Sequence, residues 1–147
     1  MGRKFLILLF LPLLVGCNFY RPIKENFYVP PIEVTTHNYY EVQDHTILWT
    51  KIFQVGLPNY YVYCYSPTCS HCSDLKDWII EKALERQDIY FVKASEYDVI
   101  VKDTSSTIGA TNVSQLAILG YPSLIQITNQ IVVQNVAGKT KIQNLLN

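Results

Sequence analysis

The 147-residue chain is poor in charge: Asp, Glu, Lys and Arg together make 16% of it, and 12 basic residues balance 12 acidic ones. A surface that tracks nucleic-acid phosphates needs clustered Lys and Arg, so no nucleic-acid partner is expected. Cysteine is scarce as well, four in all, which is too few for a small domain framed by disulfides. There is no internal repeat. No segment carries enough Gly, Pro or charge to read as globally disordered. An uncharged apolar run at residues 5–15 falls well short of the roughly 20 residues that a spanning helix needs. The length allows one ordinary domain and little more.

What is there begins with that run. Arg3 and Lys4 precede it, Pro12 interrupts it, and Gly16 and Cys17 close it. A charged start, a short apolar middle and a small-residue end describe a secretion signal. The segment Leu14-Val15-Gly16-Cys17 resembles the bacterial lipobox. The resemblance implies a lipoprotein signal peptide at residues 1–16, cleavage before Cys17, and diacylglyceryl attachment to the Cys17 sulfur. Two acyl chains suffice for stable anchoring where one does not. Loss of Arg3 and Lys4 takes the 12 basic residues to 10 against 12 acidic, a net charge of −2 for the mature chain. That chain is expected at the cell membrane, lipid-anchored on its extracytoplasmic face, where disulfides are permitted.

Residues 17–44 include Pro22, Pro30 and Pro31, show no strict alternation, and read as an extended tether. Regular patterning starts near His45. Residues 45–54 place Leu48, Trp49 and Ile52 at spacings that suit a short amphipathic helix. Residues 60–65, Tyr-Tyr-Val-Tyr-Cys-Tyr, are aromatic and β-branched, hence a strand. Residues 70–86 are the best helix, with Leu75, Trp78, Ile79 and Ala83 or Leu84 as an apolar stripe. Residues 89–94 form the next strand. Residues 96–112 have no clear periodicity, and 113–119 suit a short helix. Residues 123–128 and 131–136 pair as a hairpin across Asn129-Gln130, and 139–147 end as a short helix. The first two strands flank a helix and are expected to be parallel through a right-handed crossover.

Cys69-Ser70-His71-Cys72 falls where a strand gives way to the N-terminus of the best helix. Free N–H groups and the helix dipole favour a thiolate there. Cys69 sits at the exposed start and Cys72 one turn in, close enough to attack a mixed disulfide. Thiol–disulfide exchange requires this pairing of a nucleophilic thiol with a resolving one.

The segment from Tyr61 through Cys69-Ser-His-Cys72 resembles the active-site region of the thioredoxin family. Gly120-Tyr121-Pro122-Ser123-Leu124 resembles the family's cis-proline segment, and Gly138 matches the glycine that follows its last strand. The resemblance spans residues 45–147. It implies an α/β fold: a thioredoxin-like three-layer α/β/α sandwich with a mixed central sheet. It also implies a cis bond before Pro122, facing the dithiol, with the Tyr121 backbone pairing with an incoming substrate strand. The expected activity is thiol–disulfide oxidoreduction on exported protein thiols or disulfides. Cys69 and Cys72 would be catalytic, His71 would stabilise the Cys69 thiolate, and Tyr121 and Pro122 would bind substrate. No soluble cofactor is needed, because the dithiol carries two electrons itself. An integral-membrane redox partner would recycle it.

The chain departs from the family in two places. Cytosolic thioredoxins carry a buried acid six residues before the first cysteine, and here that residue is Tyr63. The dipeptide between the cysteines is Ser-His rather than Gly-Pro. A cationic group that stabilises the reduced thiolate raises the reduction potential, so His71 favours oxidation or isomerisation, while a reductive role stays open.

Cys64 shares a strand face with Val62 and reads as a small buried apolar residue. A zinc site would need two more ligands beside Cys69 and Cys72. His37 falls in the tether, His45 at the domain edge, and there is no second CxxC, so no metal site is expected. The reading from a different class is a non-catalytic binding lipoprotein, with this fold as scaffold for a protein partner or for Cu(I), which suits soft thiolates.

Overall fold

A computed structural model describes residues 36–147. Its centre is a four-stranded mixed sheet. The strands are β1 (Asn59–Tyr65), β2 (Ile89–Lys93), β3 (Ser123–Thr128) and β4 (Ile131–Ala137), in the spatial order β2-β1-β3-β4. Helix α1 (Ser70–Glu85) joins β1 to β2, which are parallel. The β1–β3 and β3–β4 pairs are antiparallel, and α2 (Lys139–Leu146) closes the chain. The fold is thioredoxin-like α/β, as the sequence implied.

Strand period 2 sorts the core into two halves. Tyr60, Val62 and Cys64 of β1 face one side, together with Val92, Ile125 and Ile127. Tyr63 and Tyr65 face the other, with Phe91 and Leu124, and there α1 and α2 cover the sheet. On α1 the buried residues are Cys72, Leu75, Ile79, Ile80 and Ala83. Leu84, a candidate for that stripe, is exposed, and Ile80 is buried in its place. The β3–β4 turn is tight: Asn129 and Gln130 both have positive φ, 49° and 65°, as a two-residue type I′ turn requires. Gln130 is held there by its amide, which donates to the Val55 carbonyl at 3.2 Å.

The opposite outer layer contains no α-helix among the described residues. Short 3₁₀ helices at Trp49–Gln54, Ala94–Glu96, Ser105–Thr107 and Val113–Gln115 fill it, burying Trp49, Ile52, Leu116 and Ile118 on the sheet. Local side-chain bonds explain why the chain does not coil further there. The Asp103 carboxylate accepts from the Ser105 N–H and hydroxyl at 2.9 and 2.7 Å, and the Thr107 hydroxyl donates to the Thr104 carbonyl at 2.7 Å. Such bonds compete with the helical ladder.

One boundary moves. Over residues 36–44, the segment read as an extended tether is part of the folded unit. Tyr39–His45 forms a 3₁₀ helix with Val42 buried. Asn38 caps it by accepting from the Tyr40 N–H at 3.0 Å, and Glu41 reaches back to the Asn38 N–H at 2.6 Å. This is a capping box. The His37 N–H donates to the Asp77 carboxylate at 3.0 Å, which fastens the segment to α1. The Tyr39 ring stacks on Tyr65, centroids 4.0 Å apart. The signal-peptide reading and Cys17 lie outside the described residues.

Candidate active site

β1 ends at Tyr65, and Ser66-Pro67-Thr68 turns the chain into α1. The Ser66 and Thr68 hydroxyls lie 3.1 Å apart, and the Ser66 carbonyl accepts from the Cys69 N–H at 3.2 Å. Cys69 is the N-cap of α1, with extended backbone and no side-chain cap bond. Its carbonyl starts the helix by accepting from the N–H groups of Cys72 and Ser73, each at 3.1 Å. A serine or aspartate at an N-cap usually spends its side chain on the helix. Here the thiol stays available, and it points instead to the Tyr121 carbonyl oxygen, 3.4 Å away.

Cys72 lies one turn further on. Both thiols are free, Cys69 half-buried and Cys72 buried. Burial pushes the Cys72 thiol up from an ordinary value of 9.0 to about 12, with the neighbouring Cys69 adding to the shift and the Ser66 backbone opposing it. The two sulfurs are therefore close together but unequal. One is reachable from solvent, and the other is held as a neutral thiol.

The third wall is the loop before β3. The Tyr121–Pro122 peptide is cis, and the Pro122 carbonyl accepts from the Gly138 N–H at 2.9 Å. Gly138 has φ +92°, a conformation that favours glycine, and it leads directly into α2. A cleft of about 260 Å³ opens here, lined by His71, Asp74, Tyr121, Pro122, Gly138 and Lys139. The Lys139 ammonium donates to the Asp74 carbonyl at 3.3 Å across it.

The structure thus brings together Cys69, His71, Cys72, Tyr121 and Pro122, all singled out from the sequence. Asp74 and Lys139 were not singled out; neither belongs to a motif, and only the tertiary fold sets them at the cleft. Tyr39 was placed in the tether, although Asn38 followed three residues later by Glu41 is the sequence signature of a helix start. Cys64 is fully buried on the far face of β1, and its thiol is pushed up by that burial. Among the described residues no three His, Cys, Asp or Glu side chains cluster as a metal site.

No protein-family model matches the chain, and no curated protein matches it. Solved structures do. Mitochondrial thioredoxin 3 from Saccharomyces cerevisiae is similar at 11% identity and TM-score 0.49, over 69% of this chain and 91% of that one. Thioredoxin O1 from Arabidopsis thaliana is similar at 22% identity and TM-score 0.46, over 69% and 94%. Thioredoxin f2 from Chlamydomonas reinhardtii is similar at 21% identity and TM-score 0.46, over 69% and 90%. The chain has a thioredoxin-like fold, with Cys69 and Cys72 close together at the strand–helix junction.

Proposed function

We propose that this chain is a thiol–disulfide oxidoreductase that acts on exported proteins through Cys69 and Cys72. It is held by a lipid on Cys17 at the extracytoplasmic face of the cell membrane. The observation that carries the reading is the asymmetric pair: a half-exposed Cys69 facing the Tyr121 carbonyl at 3.4 Å, with Cys72 buried one turn behind it.

In the oxidising direction a substrate thiolate attacks the Cys69 sulfur of the Cys69–Cys72 disulfide. That bond breaks, a Cys69–substrate disulfide forms, and Cys72 leaves and takes up a proton. A second substrate thiolate then attacks the substrate sulfur and releases Cys69. The substrate loses two electrons and the protein dithiol gains them. Burial of Cys72 suits its part, since a leaving sulfur that ends as a neutral thiol is at home in an apolar site. The main chain at Tyr121 and the face of Pro122 would align the substrate strand, and the His71–Lys139 cleft would take a flanking side chain. Exposed His71 in that cleft supports the oxidising or isomerising direction, because a group that donates a hydrogen bond to the Cys69 thiolate would favour the reduced form. An integral-membrane partner would reoxidise the pair.

Trapping tests this. A Cys72→Ala variant of the full chain should accumulate mixed disulfides between Cys69 and exported proteins, and a Cys69→Ser, Cys72→Ala double variant should not. Equal capture by both variants would favour the non-catalytic binding reading.

A further inference from the structure

Two buried side-chain hydroxyls among the described residues lack partners, and both belong to the core half that holds Cys72. The side-chain oxygens of Tyr39 and Tyr63 are buried with no hydrogen bond among the described residues. Tyr63 is fully buried in the same cluster as Cys72, Tyr65 and Leu75. Its ring meets Phe91 edge-on at 5.6 Å and lies near-parallel to Tyr65 at 6.1 Å. Tyr39 enters from the N-terminal 3₁₀ helix, stacked on Tyr65 and edge-on to Phe91 at 6.1 Å. Tyr63 and Cys72 are both buried in this one cluster, and Tyr39 packs against it.

A buried hydroxyl without a partner costs free energy. Phenylalanine would fill the same space at neither position's expense, so the two hydroxyls call for a role. The Cys72 sulfur of the same cluster offers one: in exchange it passes through a negatively charged stage. Resting on the dithiol reading above, we propose that Tyr63 is a catalytic hydrogen-bond donor to the Cys72 sulfur, with Tyr39 donating in turn to the Tyr63 oxygen.

The step balances with solvent as the proton carrier. When Cys72 attacks a mixed disulfide on Cys69, the Cys69–substrate bond breaks and the Cys69–Cys72 bond forms. Cys72 gives its proton to solvent as it becomes the attacking thiolate, and the substrate sulfur, reduced as Cys72 is oxidised, departs as a thiolate that solvent protonates according to its own pKa. Negative charge on Cys72 in transit would be met by the buried O–H of Tyr63, which has no other partner among the described residues, and a donor shielded from water acts most strongly. Burial raises the phenol of Tyr63 far above its usual range, so it keeps its proton and acts only as a donor. A chain of two hydroxyls polarises along its length. Because the reverse reaction crosses the same stage, the donor serves either direction.

The test uses the full chain and 5,5′-dithiobis(2-nitrobenzoate). Attack by Cys69 releases one coloured thiolate, and attack by Cys72 on the resulting mixed disulfide releases the second. Tyr63→Phe is expected to slow the second release by about tenfold or more and leave the first within about twofold. Its thermal midpoint should not fall, since an unpaired buried hydroxyl is removed. A merely structural tyrosine would not produce that split. Tyr39→Phe should slow the second release by about threefold, and it decides the matter if Tyr63→Phe does not fold. A second release at the wild-type rate in the folded variant overturns the donor role alone. A wild-type protein that releases only the first equivalent overturns the dithiol reading itself.

Discussion

The Cys69 sulfur stands 3.4 Å from the main-chain oxygen of Tyr121, a residue 52 positions away in sequence. The approach joins the start of α1 to the loop before β3, and it separates Cys69 from its neighbour in chemistry. Cys69 is half-buried, while Cys72 is buried and its thiol is pushed up to about 12.

Alkylation should follow that difference. Iodoacetamide at neutral pH is expected to modify Cys69 first, with Cys72 and Cys64 reacting only once the protein is unfolded or strongly alkaline. At a pKa of about 12 the thiolate fraction at neutral pH is on the order of 10⁻⁵. Peptide mass mapping over time reads the order, and early labelling of Cys72 would count against it.

Stability should fall in alkali. The Cys72 thiol and the Tyr60 hydroxyl are both raised to about 12 by burial, from ordinary values of 9.0 and 10.0. Burial raises Tyr39, Tyr63 and Cys64 as well. A folded pKa above the unfolded one means that the unfolded chain loses its proton first. The contribution is complete below about pH 9 and is lost as pH rises through 12. Urea midpoints should therefore hold steady between pH 6 and 8 and drop progressively between 9 and 12.

The N-terminal 3₁₀ helix should matter to the domain as a whole. Val42 is 1% exposed in the cluster beneath α1. Val42→Ala is expected to cost roughly 1–3 kcal/mol, measurable by urea unfolding. A loss near zero would mean that residues 39–45 are an appendage.

The candidate site residues were legible because each sits on a strong local pattern or a family-like segment. β1 is an unbroken aromatic and β-branched run, α1 has a stripe at helical spacing, and Cys69-Ser-His-Cys72 marks their junction. Pro122 was legible through the resemblance of Gly120-Tyr121-Pro122-Ser123-Leu124 to the thioredoxin family's cis-proline segment, and Asn129-Gln130 as a tight turn between two strand-like runs. Tyr39 and Val42 were hidden by context. Three prolines upstream made the whole segment look extended, although the capping pair Asn38 and Glu41 lay just beyond them. The second outer layer was obscure for another reason. Residues 96–122 bond locally through Asp103, Ser105 and Thr107, and Asn135 of β4 ties them down by donating to Thr107 and Ala117 at 2.9 and 2.8 Å. Such order comes from tertiary contact and leaves no periodicity to read.

His71 should set the direction of exchange. His71→Ala is expected to lower the reduction potential by a few tens of millivolts, about 30 mV for each 1.4 kcal/mol of thiolate stabilisation lost. An unchanged potential would leave His71 as a cleft residue only.

The most direct measurement is a redox titration of the purified protein in glutathione buffers, with the thiols counted by mass after acid quenching and alkylation. The expected result is one reversible two-electron couple that joins Cys69 to Cys72, with Cys64 a thiol throughout. Its midpoint should lie in the range of protein oxidants and isomerases, about −120 to −180 mV, rather than near the roughly −270 mV of thioredoxin. Cys69 and Cys72 remaining unjoined across the whole range, or either one pairing with Cys64, would contradict the account.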